Sequence, residues 1–525
     1  MTGIGTMLAI LWRAQRRRLL VWVLVTLGAL AFTAISVAQL YNTPEQIASY
    51  GQAVASDALI AINGHVEGID TLGGIIQDEF GFIASFLMPL IGLALVAGMT
   101  RREEESGRLE VLLAGRIDRR VPVVSALVLV SAAVVLMDAG FVLSLLAAGI
   151  ELGPAALYAL ALGMVTVVFA ALAAVCAQVV LHSRGIYALG FVAVGLSYIL
   201  RGVGDVHDTF WVWLSPLGWL EKTAPFADQQ RWWVLLIPMV VAAGLSILAV
   251  VLARRRDLGA ALYRQGPGQP SASSWLIGPL GLALYGQRGS LLGWLFGSVA
   301  LAAVMGALAQ EVVGAILGNA SLSEAMGVTK QNAADGFLAS TQVYLAIIAC
   351  GYVVQALGSL RREEAAGRLE PVLAGALGRM RWLGAQVLVV STGLVVVVVV
   401  SAVVFGATTA LSTGDSGYLG TLLKSGLAYL PAEMVIAAVA VVLYGFVPRA
   451  FAFAWAAFGA VTFIGLLGSG LQLPDWVLNL SPLTHVGKPP ADAIDTTALA
   501  WLGLVAALLA SAAFAGFRRR RIPQT

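Results

Sequence analysis

The chain has 525 residues, of which 59% are hydrophobic and only 12% charged, with a mean hydropathy of +0.87. Soluble domains carry about 25% charged residues, so this chain cannot cover a water-facing surface of its size and reads as an all-α polytopic membrane protein. The net charge of +3 excludes nothing by itself, and its distribution along the chain is the informative part.

In chain order, the first apolar run lies near 19–39, behind Arg16-Arg17-Arg18. It is long and has no clear small-residue cleavage site, so it reads as an anchor and not as a cleavable signal. Further runs of spanning length fall near 80–99, 121–149, 155–180, 186–203 and 232–252. A second set falls near 291–310, 338–358, 383–411, 426–446, 451–470 and 498–516. A helix needs about 20 residues to cross a ~30 Å hydrocarbon core, so about twelve transmembrane helices are expected. Val395–Val400 is β-branched, but in lipid the backbone must satisfy its own hydrogen bonds, and helix still wins. The polar, acidic segments 40–79 and 311–337 fall between spans and could form small helical caps.

Basic residues set the orientation. With the N-terminus inside, only Arg201, Lys222, Arg231, Lys330, Lys424 and Lys488 fall outside, and the acids show no matching inward bias. Both ends are then expected to be cytoplasmic. Trp211, Trp213 and Trp219 surround Ser215-Pro216, Trp232 and Trp233 open the next span, and Trp476 precedes a second Ser-Pro-Leu. An interfacial aromatic belt accounts for most of this pattern.

The chain repeats itself. Residues 101–115 read RREEESGRLEVLLAG and residues 361–375 read RREEAAGRLEPVLAG, eleven of fifteen positions matching. Many of the matches are charged, which shared apolar composition cannot produce. Gln15-Arg16 is echoed by Gln287-Arg288, and Ser215-Pro216-Leu217 by Ser481-Pro482-Leu483. Arg254–Arg256 and Arg518–Arg521 close the two halves. The expected organisation is a first six-helix half over 1–256, a Gly/Pro/Ser-rich cytoplasmic linker over 257–284 and a second six-helix half over 285–525. Two parallel halves imply a pseudo-two-fold axis along the membrane normal, with a pathway between them.

Each repeated segment reads as one short amphipathic helix. Glu104 and Arg108 stand at i,i+4 in the favourable order, as do Glu364 and Arg368. Leu109, Leu112 and Leu113, or Leu369, Val372 and Leu373, form its apolar face, and Gly115 or Gly375 ends it. The segment resembles the coupling helix of ABC-2 type (type V-like) exporter permeases, whose pattern is R-E-E-x-x-G-x-L-E-x-L-L. The amphipathic stretch Ile4–Arg18 before the first span fits that family too. Two fused halves resemble the "exporter of polyketide antibiotics" permeases of the tetronasin-resistance type. The resemblance implies that two copies of a separate ATP-binding subunit carrying Mg-ATP dock beneath this chain. Glu103, Glu104, Gly107, Arg108 and Glu110, with Glu363, Glu364, Gly367, Arg368 and Glu370, would form the docking surfaces. Pro371, where the first half has Val111, is expected to kink the second copy. The resemblance also suggests re-entrant helices in the outer Trp-rich segments.

Absences complete the reading. No G-x-x-x-x-G-K-[ST] occurs, so ATP hydrolysis is not expected on this chain. Cys176 and Cys350 stand apart, and His65, His182, His207 and His485 form no ligand spacing, so neither a disulfide nor a metal is expected. Asp138 and Glu433 lie within spans, where ionisable groups are costly. They could serve cationic cargo, a relayed proton or a gate, or be carboxyls held neutral by burial. A proton-driven transporter using them is the alternative to an ATP-driven exporter of hydrophobic compounds. A membrane enzyme using Ser469 in Gly468-Ser469-Gly470 is a more distant one. Membrane lipids are an expected partner and nucleic acid is not; the bacterial cytoplasmic membrane is the expected location.

Overall fold

The structure, a computed structural model, describes residues 3–55, 57–113, 117–262, 271, 273–318, 330–375, 377–467 and 474–520. The described residues form helices and turns with no strand. Among the described residues, twelve helices are long and apolar enough to cross a membrane. The chain divides into two compact units, Met1–Gly268 and Gln269–Thr525.

In the first unit the spans are Ile4–Leu40, Leu72–Glu105, Val121–Ala147, Leu152–Val179, Ser183–Val206 and Trp232–Arg255. The second and fourth are the core helices, since 72% of the most apolar stretch of each is buried, against a third or less for the others. Small residues let them approach closely, as membrane helices require. A Cβ at Gly92 would lie 2.5 Å from the Thr166 carbonyl oxygen, so only glycine fits there. The first span packs on the third, and the sixth on the fourth.

In the second unit the spans are Pro279–Ala307, Ala334–Ala365, Arg379–Thr413, Gly417–Phe446, Pro448–Leu466 and Thr496–Arg519. The same pairings recur: seventh on ninth, twelfth on tenth, and eighth on tenth. The eighth is the most buried of this unit.

Between the spans, Pro44–Ala53 and Asp57–Asn63 are short helices in the first unit, and Ala309–Gly318 is one in the second. Pro44–Ala53 starts with a full capping box, in which the Thr43 hydroxyl accepts from the Gln46 N–H and the Gln46 side chain accepts from the Thr43 N–H. The Ser215-Pro216-Leu217 segment opens the helix Pro216–Lys222, with the Ser215 hydroxyl accepting from the N–H groups of Leu217 and Gly218. Trp219 does not belong to an exposed belt. It is 7% exposed and its Nε1 donates to the Trp213 carbonyl at 2.6 Å. Trp211, Trp232 and Trp233 are exposed, as a belt requires.

Three local expectations are corrected. Ile4–Arg18 is not a separate stretch, because one continuous helix runs from Ile4 to Leu40 with no proline to break it. The repeated segment is not one helix. The first copy breaks into Arg101–Glu105 and Arg108–Leu113, and Gly107 between them has φ +73°. The second breaks at Gly367, with φ +70°, before Leu369–Ala374. A left-handed glycine ends a helix, so a stop lies in the middle of the motif, while Gly375 ends the piece Leu369–Ala374 as expected. Gly115 falls outside the described residues, as does Ser469. Pro371 lies in the first turn of Leu369–Ala374, where its missing N–H interrupts no hydrogen bond and imposes no kink.

Candidate functional site

The break at Gly107 redirects the acidic side chains. Glu104 does not meet Arg108. It turns inward, 9% exposed, and takes a bidentate pair from Arg256 at 2.9 Å on each oxygen. It also accepts the Gly259 N–H at 2.8 Å and pairs with Arg101 at 3.0 Å. Arg101 and Arg256 both donate to the Ala260 carbonyl. The second span is thereby clamped to the segment that follows the sixth. Glu103 takes the Arg108 partner instead, at 2.9 Å.

The second half builds the same clamp from fewer parts. Glu364 pairs with Arg520 at 2.7 Å, and Arg520 donates to the Tyr444 carbonyl at 3.0 Å. The Arg520 guanidinium lies over the rings of Tyr444 and Phe517, 5.1 and 5.2 Å from their centroids. Arg361 donates to the Pro448 carbonyl at 3.1 Å, at the start of the eleventh span. Burial raises the desolvation cost of these ions, and the paired, bidentate geometry offsets it.

What remains outward is a small face on each segment. Leu109 and Leu369 are buried beneath it. Arg102, Arg108 and Glu110 are exposed, with Val111 at 77% exposure. Arg362, Arg368 and Pro371 are exposed in the second copy, while Glu363 and Glu370 are partly covered. Glu105, on the first copy, accepts the Ser183 N–H at 2.7 Å and its hydroxyl at 2.9 Å. That caps the fifth span, with the carboxylate at the positive end of the helix dipole. The second copy has Ala365 at this place and no such cap.

The glutamine echo is structural. Gln15 of the first span donates to Glu103 at 3.5 Å, and Gln287 of the seventh donates to Ser359 at 2.9 Å and to the Ala356 carbonyl at 3.2 Å. Each ties the opening helix of its half to the second one. The clamp residues Arg256, Arg520 and Gly259, and the cap Glu105–Ser183, were not among the sequence candidates. The closing arginine clusters were the available signal, and the positive-inside rule had already accounted for them.

The structure does not bring Asp138 and Glu433 together with the repeated segments. Asp138 lies against Gly163 of the fourth span, whose Cβ, if present, would meet both carboxylate oxygens at 2.4 Å, and its Oδ1 has no hydrogen-bond partner among the described residues. Glu433 is 1% exposed and lines a small cavity with Ser401, Gln342 and Tyr429, its Oε2 likewise without a partner. Among the described residues no group of three or more His, Cys, Asp or Glu side chains could hold a metal ion, and Cys176 and Cys350 are buried free thiols.

A buried polar network closes the other end of the first half. Arg201, 1% exposed, donates to Ser85 at 2.9 Å and to the Ile62 carbonyl, and pairs with Glu221 at 3.4 Å. Burial pushes the Glu221 carboxyl well above the usual range, with Arg201 pulling against it and Asp205 adding to it. The Tyr50 hydroxyl lies 2.7 Å from Asp78 and 2.9 Å from Glu79, its one proton shared between the two carboxyls, and Asn63 donates to Asp78 at 2.9 Å. Burial and the two neighbouring carboxylates raise the Tyr50 hydroxyl, which stays protonated.

Twelve spans in two like-packed units, with side chains clamping the loops and isolated carboxyls within the bundle, are the build of a multi-pass membrane permease. Residues 276–518 match the family described as the C-terminal domain of the multidrug efflux system permease Rv1217c. The multidrug efflux system permease protein Rv1217c of Mycobacterium tuberculosis is 32% identical over 528 residues, covering 99% of this chain and 95% of the relative. The chain belongs to this permease family.

Proposed function

We propose that this chain is the membrane-spanning subunit of an ATP-driven exporter of the ABC-2 type. It resides in the bacterial cytoplasmic membrane with both ends cytoplasmic. It moves hydrophobic compounds outward, and its relative's name, a multidrug efflux system permease, supports drugs as cargo. Polyketide antibiotics or lipids belong to the same chemical class. Two copies of a separate ATPase, each carrying Mg-ATP, dock on the repeated segments.

The observation that carries this reading is the pair of clamps. A docking helix transmits force only if it is fixed to the spans behind it. Glu104 with Arg256 and Glu364 with Arg520 fix each segment to the far end of its own half. The inward carboxylates thus anchor the docking segments, and the outward residues, Arg108, Glu110 and Val111 with Arg368 and Pro371, meet the ATPase. Cargo moves because it binds the inward- and outward-open states with different affinity.

Affinity purification from the native host in mild detergent, followed by an ATPase assay on the eluate, tests the reading. An ATP-hydrolysing subunit is expected to co-purify. Val111→Asp with Arg108→Glu, which alter one of the two docking segments, are expected to lower its recovery while leaving the yield and thermal stability of the permease largely unchanged. A chain that emerges folded, alone and without ATPase activity sinks the reading, and Asp138→Asn and Glu433→Gln then become the variants to assay for proton-driven transport.

A further inference from the structure

The third and sixth spans of the first half cross in opposite directions, and the start of one meets the end of the other. Arg119, just before the third, pairs with Asp257, just after the sixth. Beside that junction an open groove of about 550 Å³ lies between the two helices, in the size range of small-molecule sites. One wall is a stripe of the third span through Val124, Val128 and Ser131, and the other a stripe of the sixth through Ser246, Val250 and Arg254. Both stripes keep helical spacing. Ser246 stands two turns from Arg254, about 12 Å along the helix, so the groove runs from a basic mouth into an apolar interior. The small side chains of Ser131 and Ser246 leave room at its inner end. Val128, Ile247 and Val251 are exposed, so in a bilayer the groove opens sideways to lipid. Arg254 is the one charged residue on its walls. It is exposed and has no ion-pair or hydrogen-bond partner among the described residues. Its neighbours are engaged: Arg256 with Glu104, Arg119 with Asp257 and Arg120 with Asp118. Arg255 is exposed too, but does not line the groove.

We propose that this groove binds a bilayer phospholipid with a net negative headgroup, its phosphate on Arg254 and one acyl chain between residues 124–131 and 246–251. The mouth presents a cation that no acid of the described chain neutralises, and guanidinium with phosphate is a charge-assisted pairing. Basic pockets between spans take anionic headgroups for this reason. A zwitterionic headgroup brings its own cation, which offsets the gain. A soluble anion brings no chain to fill the apolar walls. That the basic mouth selects the inner leaflet rests on the orientation proposed above; the binding itself does not.

The test is photo-crosslinking of the full chain in mixed detergent–lipid micelles. The probe is phosphatidylglycerol with a diazirine in its acyl chain, and peptide mass spectrometry locates the adduct. Adducts are expected on residues 124–131 and 246–251. Unlabelled phosphatidylglycerol is expected to displace the probe at about five- to tenfold lower concentration than phosphatidylcholine, as one such charged contact would. Arg254→Gln is expected to erase that preference. Arg255→Gln, one residue away and off the groove, is expected to leave it largely intact. Ser131→Phe fills the inner end from an exposed position and is expected to lower the adduct yield, which keeps the proposal falsifiable if Arg254→Gln fails to fold. Equal displacement by phosphatidylcholine, or an equal effect of Arg254→Gln and Arg255→Gln, overturns the proposal. Displacement by decanoate as readily as by phosphatidylglycerol overturns it too, since the guest is then any anionic amphiphile. The assay contains no ATPase and measures no transport, so its failure leaves the export reading standing, and loss of the ATPase partner leaves the groove standing.

Discussion

Glu104 and Glu364 occupy matching places in the repeat but are held differently. Glu104 collects Arg256, Arg101 and the Gly259 N–H, whereas Glu364 has Arg520. Breaking a buried pair by removing one partner costs about 3–5 kcal/mol. Glu104→Ala is therefore expected to lower the stability of the detergent-solubilised chain by that order, read as a fall in its thermal unfolding midpoint. Glu364→Ala is expected to cost less by about 1 kcal/mol for each donor it lacks, because the aromatic bed of Tyr444 and Phe517 still receives Arg520. A second residue-scale pair is Gly163 with Asp138. Gly163→Ala is expected to destabilise the first half by pushing its methyl into the carboxylate, and Asp138→Ala in the same chain to restore most of the loss. If the double variant is no more stable than Gly163→Ala alone, the contact is not what constrains the glycine. The importance of Glu104 was legible in the sequence, since charge is scarce and this charge is repeated. Its partner was not, because Arg256 lies 152 residues away and local spacing offered Arg108 instead.

At the scale of elements, hydrophobic runs located all twelve spans, including the short, Gly-containing run near 186–203, which is the helix Ser183–Val206. Lipid makes this reading dependable, because an apolar run that enters it has no alternative to helix. The repeated segment, outside that constraint, was misread. A 3.6-residue pattern fits both pieces, and a glycine within it is compatible with continued helix as well as with a left-handed stop. The structure selects the stop at both Gly107 and Gly367. No atom lies near enough to obstruct a Cβ at Gly107, so the cost of substitution there is purely conformational. Gly107→Ala is expected to cost about 1–2 kcal/mol and Gly107→Asn less, with helicity of the spans unchanged by circular dichroism. ATPase recovery in the pull-down should fall with Gly107→Ala even where the chain stays folded, because the outward face is then misaimed.

For the whole molecule, the orientation rests on the placement of basic residues and is open to direct labelling. Cys176 and Cys350 are buried, so they give little background to a maleimide. In intact cells, a membrane-impermeant maleimide is expected to label Ser416→Cys, on the turn between the ninth and tenth spans. Ser106→Cys is expected to react only after permeabilisation. Both parent serines are exposed, so the opposite pattern would invert the topology. The likeness of the two halves was legible in the repeat, while most of their differences beyond Pro371 were not. The cap from Glu105 to Ser183 and the buried network around Arg201 both belong to the first half. Those features arise from residues far apart in the chain, and only the folded helices bring them together.

The uninterrupted first helix turns that chemistry into mechanics. Thirty-seven residues at about 1.5 Å each make a rod of roughly 55 Å, well beyond a ~30 Å hydrocarbon core. Its near end cannot pivot independently of the part within the bilayer. A tilt of roughly 10° about the membrane boundary would swing an overhang of ~25 Å by about 4 Å at its tip. Gln15, touching Glu103 of the first repeated segment, rides on that overhang. The helix is in effect a tiller: if the repeated segment docks an ATPase as proposed, a push on it steers a span, and a displaced span moves the segment in return.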